Sequence, residues 1–151
     1  NVTDGSPITD GTKIFVLSED GTLSAVDLLL GKTEWKLSKH NIIDKIAISL
    51  DKKNIFAKSN DNKILIISCN KGTIVKEIKL NFNLDDYPSD IVQNGNAVYF
   101  SSGENLYSID NKYKVNKIFS NENGVINYLE LFNNKIMISD LNGRITIINE
   151  P

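Results

Sequence analysis

One cysteine, one histidine, one methionine and one tryptophan among 151 residues remove several function classes at once. Cys69 stands alone, so no intrachain disulfide can form, and its place after Ile64-Leu65-Ile66-Ile67-Ser68 predicts a buried structural thiol. His40 is the sole histidine, in the polar stretch Leu37-Ser38-Lys39-His40-Asn41, which excludes a histidine cluster for a metal within this chain. No apolar run approaches the roughly 18 residues that span a bilayer, and Asn1 to Asp10 do not read as a charged-then-apolar targeting segment. Asn1-Val2-Thr3 fits the glycosylation acceptor pattern, which matters only in a secretory setting. A formal net charge of -2, with both signs interspersed, gives no field that would gather nucleic acid or an anionic membrane. No strand-turn-helix nucleophile elbow and no phosphate-cradling glycine loop occur. Asp85-Asp86, the one pair of adjacent aspartates, reads as a solvated loop.

What is present is a repeat. The first copy runs Lys13-Ile14-Phe15-Val16-Leu17-Ser18, turns through Glu19-Asp20-Gly21, and returns as Thr22-Leu23-Ser24-Ala25-Val26-Asp27. The second is Asn54 to Ser59, a turn through Asn60-Asp61-Asn62, and Lys63 to Ser68. The third is Ala97 to Ser101, a turn through Ser102-Gly103-Glu104, and Asn105 to Asp110. The fourth is Lys135 to Ser139, a turn through Asp140-Leu141-Asn142-Gly143, and Arg144 to Asn149. Aligned on Gly21, Asn62, Glu104 and Gly143, the copies recur about every forty residues, the period of a propeller blade.

The flanks complete each unit. A short apolar stretch precedes every hairpin: Ser6 to Thr9, Ile46 to Leu50, Asp90 to Val92, and Ile126 to Phe132. These are the expected innermost strands. Outer strands follow as Thr33-Glu34-Trp35-Lys36-Leu37, Thr73 to Ile78, and Tyr113 to Phe119, the last two alternating apolar residues with lysines as guarded edges do. The expected fold is therefore all-β: four-stranded antiparallel β-propeller blades over 6–38, 45–80, 90–120 and 126–151, the last incomplete. Residues 1–151 form a partial ring of three to four blades, expected to be part of a seven- or eight-bladed propeller. Because blades must bury both faces, self-association through open terminal blades is the other way to cover them.

The first unit, with Asp20-Gly21, the strand ending in Asp27, and Gly31-Lys32-Thr33-Glu34-Trp35, closely resembles the blade signature of the pyrroloquinoline-quinone-type propeller superfamily. In that pattern the tryptophan docks between adjacent blades. Gly72 matches Gly31, Asp110 matches Asp27, and Gly143 repeats the hairpin glycine; Ser68 and Asn149 replace the aspartate, and Lys76 and Ile118 stand near the tryptophan position. The structural blade residues are thus Gly21, Asp27, Gly31, Trp35, Gly72, Asp110 and Gly143. Within the superfamily, Ser6-Pro7-Ile8 followed by Asp10-Gly11, together with the short loops, is most similar to the BamB family of the outer-membrane β-barrel assembly machinery.

That resemblance implies a non-catalytic protein-binding scaffold in the periplasm. It implies anchoring to the outer membrane by an N-terminal lipid that this chain does not contain, with the barrel assembly complex as partner. No cofactor, metal or catalytic residue is expected. Two alternatives remain at this level: a fragment of a quinone-dependent alcohol or sugar dehydrogenase propeller, or a luminal or secreted peptide-sensing propeller. Asn81 to Ser89 is the longest interruption of the repeat, and Phe82, Leu84 and Tyr87 in it form a candidate partner-contact loop.

Overall fold

The computed structural model describes residues 6–84, 90–95 and 97–151. Among them every regular element is a strand, and the strands assemble into four separate antiparallel sheets. Two compact units divide at Phe82/Asn83.

The first unit holds two sheets. Strands β1 (Ile8–Thr9), β2 (Lys13–Leu17), β3 (Leu23–Asp27) and β4 (Thr33–Leu37) lie side by side in chain order, as do β5 (Ile42–Ile48), β6 (Asn54–Ser59), β7 (Lys63–Ser68) and β8 (Ile74–Lys79). The second sheet begins three residues before the expected 45, with a bulge between Ile43 and Ile46. Period-two alternation places Phe15, Leu17, Leu23 and Ala25 on one face of the first sheet, and Ile55, Ala57, Leu65 and Ile67 on one face of the second. These faces meet in one core with Ile42, Ile46 and Cys69, and Trp35 and Leu37 pack against it. Phe15, Leu23, Ile55 and Ile67 are completely inaccessible. Each leucine or isoleucine buried this way contributes roughly 1.5–3 kcal/mol relative to exposure.

The second unit repeats the plan. Strands β9 (Ile91–Asn94), β10 (Ala97–Ser102), β11 (Asn105–Ile109) and β12 (Val115–Ser120) form one sheet; β13 (Ile126–Phe132), β14 (Lys135–Asp140) and β15 (Ile145–Asn149) form the other. Their core gathers Tyr99, Leu106, Ile126, Leu129, Ile136 and Ile138. Phe100 and Tyr107, directly opposite across β10 and β11, stack with ring centroids 5.3 Å apart.

Hairpin chemistry explains the connections. In the first, second and fourth hairpins three residues lie between the closing pairs, with Ser18 bonded to Thr22, Ser59 opposite Lys63, and Asp140 bonded to Arg144. The third hairpin differs from the sequence expectation. Ser102 belongs to β10 and pairs with Asn105, leaving a two-residue turn of Gly103 and Glu104. The left-handed position there is Gly103, φ 56°, not the aligned Glu104. A tight turn of two residues demands positive φ, and glycine meets that demand without strain.

Candidate protein-binding surface

Trp35 is the residue on which the two sheets of the first unit are keyed together. It stands on the outer strand β4, its ring 5.8 Å from Phe15 of its own sheet. The indole N–H donates to the Cys69 carbonyl at 3.0 Å, at the turn between β7 and β8. The next contact explains the glycine of that turn. Gly72 has φ +64°, and a Cβ built on it would lie 2.4 Å from indole atoms Cδ2 and Cε3. A glycine is therefore required twice, by the backbone and by the ring lying over it. Gly31 occupies the same place in the first sheet, also with φ +64°, but nothing lies within 4 Å of its would-be Cβ.

The other blade residues are turn formers. Asp27 Oδ1 accepts from the N–H groups of Leu29 and Leu30 at 2.9 and 2.6 Å. Asp110 Oδ1 accepts from Lys112 and Lys114, both at 2.9 Å, and so fixes the corresponding turn of the third sheet. Gly21 N–H donates to the Ser18 carbonyl at 2.9 Å. A Cβ on Gly21 would press on the Ile42 carbonyl at 3.1 Å, which marks where the first hairpin turn meets the second sheet. Gly143 closes the fourth hairpin, its N–H donating to Asp140 at 3.0 Å, with open space around it. Of the candidate contact loop, Phe82 and Leu84 are half-buried and engaged with neighbours. Tyr87 and Asp85-Asp86 lie outside the described residues.

Cys69 is buried, as its flanking strand predicts, and burial pushes its thiol up to about 11. A thiol so rarely ionised is a packing group rather than a nucleophile. His40 is half-buried, and its carbonyl accepts from the Ser59 hydroxyl at 2.6 Å. Among the described residues no three His, Cys, Asp or Glu side chains converge as a metal site would need.

Several contacts that sequence reasoning did not find hold the second unit. Asn94 ends β9, and its amide donates to both Glu150 oxygens at 2.8 and 2.9 Å. The same carboxylate meets the Tyr99 hydroxyl; burial first, and then this charge, raise the phenol above its ordinary range. Buried Asp90 accepts from the Leu129 N–H at 2.9 Å, joining the start of the third sheet to β13. Asn94, Tyr99, Asp110, Asn134 and Glu150, with Ala97 and Pro151, line an open cleft of mixed polarity of about 480 Å³. The Asn94–Glu150 pair, 56 residues apart, falls off the repeat spacing, so no periodic signature announces it.

The outer strands β4, β8 and β12 each end a four-stranded sheet, and among the described residues each pairs with a single neighbour. Their remaining backbone donors and acceptors face outward, as a surface for strand addition.

Comparison with known proteins places this geometry. BamB from Moraxella catarrhalis superposes with a TM-score of 0.67 at 18% identity, covering 95% of this chain and 44% of that one. Hydrazine synthase from Kuenenia stuttgartiensis gives 0.76 at 14% identity over 93% and 43%. The computationally designed Ika4 protein gives 0.77 at 11% identity over 99% and 96%. At these identities the likeness is one of fold. In sequence, the WD repeat-containing protein 55 of Danio rerio is 32% identical over 99 residues, 64% of this chain and 25% of that protein. The chain thus spans a quarter of that relative's length and less than half of the BamB chain. A family model described as outer membrane protein assembly factor BamB matches residues 2–149. With its repeat, its blade turns and its docked tryptophan covered by that match, the chain belongs to the family of outer membrane protein assembly factor BamB.

Proposed function

We propose that this chain is part of a non-catalytic, protein-binding propeller that supports the assembly of outer-membrane β-barrel proteins. The observation that carries the reading is that, among the described residues, the outer strands β4, β8 and β12 each pair with one strand only, on sheets whose aspartates serve turns and strand ties. Asp27, Asp110 and Asp140 are spent on backbone N–H groups, Glu150 on Asn94 and Tyr99, and Cys69 on packing. An unfolded barrel protein is a set of unpaired strands, and a sheet edge satisfies the backbone of such a client directly.

Family membership supports a periplasmic location close to the outer membrane, and a protein partner in the barrel assembly complex. Anchoring by an N-terminal lipid belongs to the same proposal. No helix among the described residues is long and apolar enough to cross a membrane. The rival reading is a quinone-dependent dehydrogenase, whose propellers share this blade.

Copurification separates the two. The full chain, tagged and recovered from an envelope fraction, is expected to bring down the central barrel-inserting subunit. Reduction of a dye by the chain with quinone, calcium and an alcohol or sugar, without recovery of that subunit, would overturn the reading.

A further inference from the structure

Both units obey one rule of sheet packing. In the first, Phe15, Leu23 and Ala25 of the first sheet meet Ile55, Ala57 and Ile67 of the second. In the second, Tyr99 and Leu106 of the third sheet meet Ile136 and Ile138 of the fourth. Counted from the hairpin turns, the residues of the earlier sheet hold matching positions in both units, and so do those of the later sheet. A forward face, led by an aromatic ring on the second strand, thus packs on the rear face of the sheet that follows, where isoleucine predominates.

The fourth sheet has a forward face as well. Aligned on Gly21 and Gly143, Met137 stands where Phe15 does, Ile145 where Leu23 does, and Ile147 where Ala25 does. The three residues of the first sheet are completely inaccessible, whereas Ile145 is 67% exposed and Ile147 60%. Phe132, 70% exposed, joins Met137 and Ile147 around a groove of about 250 Å³. Surface that the repeat elsewhere buries under another sheet is here in water.

The matching rear face belongs to the same chain. Ile14, Val16 and Val26 of the first sheet align with Ile136, Ile138 and Ile148 of the fourth. They alternate with the buried forward residues along β2 and β3, and they are only half-buried. We propose that copies of this chain join head to tail, the forward face of the fourth sheet in one seated on the rear face of the first sheet in the next. Two different patches meet, so the contact is heterologous. The second copy is named as the occupant because such a seam repeats, position for position, the one that each unit already contains. The assignment concerns self-assembly and does not rest on the scaffold reading.

The test is sedimentation velocity of the full chain over a range of concentrations, which should show assembly beyond the monomer. Ile145→Asp with Ile147→Asp spoils the forward face through two side chains that lie in water in a single copy, so the fold of that copy is spared. Val16→Asp with Val26→Asp spoils the rear face; where circular dichroism shows that pair to unfold, Val16→Thr with Val26→Thr replaces it. Each variant alone should assemble at least about tenfold more weakly than the parent. An equimolar mixture of the forward and rear variants should recover a dimer, because one seam between them is intact. A forward variant that assembles like the parent, or a mixture that stays monomeric, would overturn the proposal. A monomeric parent would overturn it too, and a thiol reagent on Ile145→Cys then shows what replaces it: a protected thiol places a segment of the same chain on the face, and a reactive one leaves the face bare. Recovery of the barrel-inserting subunit by a monomeric parent would sink self-assembly and leave the scaffold reading. Assembly by a parent that recovers no subunit would do the reverse.

Discussion

Trp35 lies flat enough on Gly72 that a single methyl group there would collide with the indole at 2.4 Å. The pair turns a loose sequence pattern into a mechanical joint, because the ring of one sheet is seated on the backbone of the next. The hydrogen bond from the indole to the Cys69 carbonyl sets the ring's orientation.

Gly72→Ala should therefore be far more damaging than Gly31→Ala. Both lose the freedom that a φ of +64° uses, worth about 1 kcal/mol. Only the change at Gly72 also displaces the indole, adding roughly 1–3 kcal/mol of overpacking. Urea unfolding followed by the fluorescence of this single tryptophan reads both effects. A red-shifted native emission is expected for Gly72→Ala alone.

Substitution of the ring itself divides its contributions. Trp35→Phe keeps an aromatic face over Gly72 and loses the bond to Cys69, which should cost about 1 kcal/mol. Trp35→Ala removes the seat's occupant and should cost about 3–5 kcal/mol. Equilibrium unfolding of the two variants, read by circular dichroism, gives the comparison.

Cys69 predicts an alkaline weakness. Its thiol is raised by burial from 9.0 to about 11, so the folded form holds a proton that the unfolded form releases. This stabilising difference is fully present below pH 9 and is lost as pH rises towards 11. Cys69→Ala should flatten that part of the stability profile. In the parent, a thiol reagent at pH 8 should react slowly until urea unfolds the protein.

The carboxylate of Glu150 should be visible in the titration of Tyr99. Burial and the neighbouring negative charge both raise the phenol. Glu150→Gln removes the charge and leaves the burial, so the Tyr99 transition should move down while staying above its ordinary value. Ultraviolet titration of the folded variant against the parent measures the difference.

Much of this architecture could be read from the chain because blade strands alternate with period two and their turns need particular residues. Gly21, Gly72 and Gly143 all sit where the backbone is left-handed, as the turn pattern implied. The third hairpin was misaligned by one residue because Gly103 and Glu104 make a shorter turn than the other three hairpins, and a fixed spacing cannot register a deletion. Trp35 and Gly72 were each recognisable in the pattern, but only coordinates show that one rests on the other. Asn94 illustrates the remaining limit. Asparagine is so frequent in the turns of this chain that its amide contact to Glu150 was indistinguishable from a local preference.

The scaffold reading is tested most directly by calorimetric titration of the full chain, first with the purified barrel-inserting subunit and then with quinone and calcium. Saturable binding of the subunit, with no heat from the quinone, is the predicted result. Tight quinone binding with no response to the subunit would contradict it.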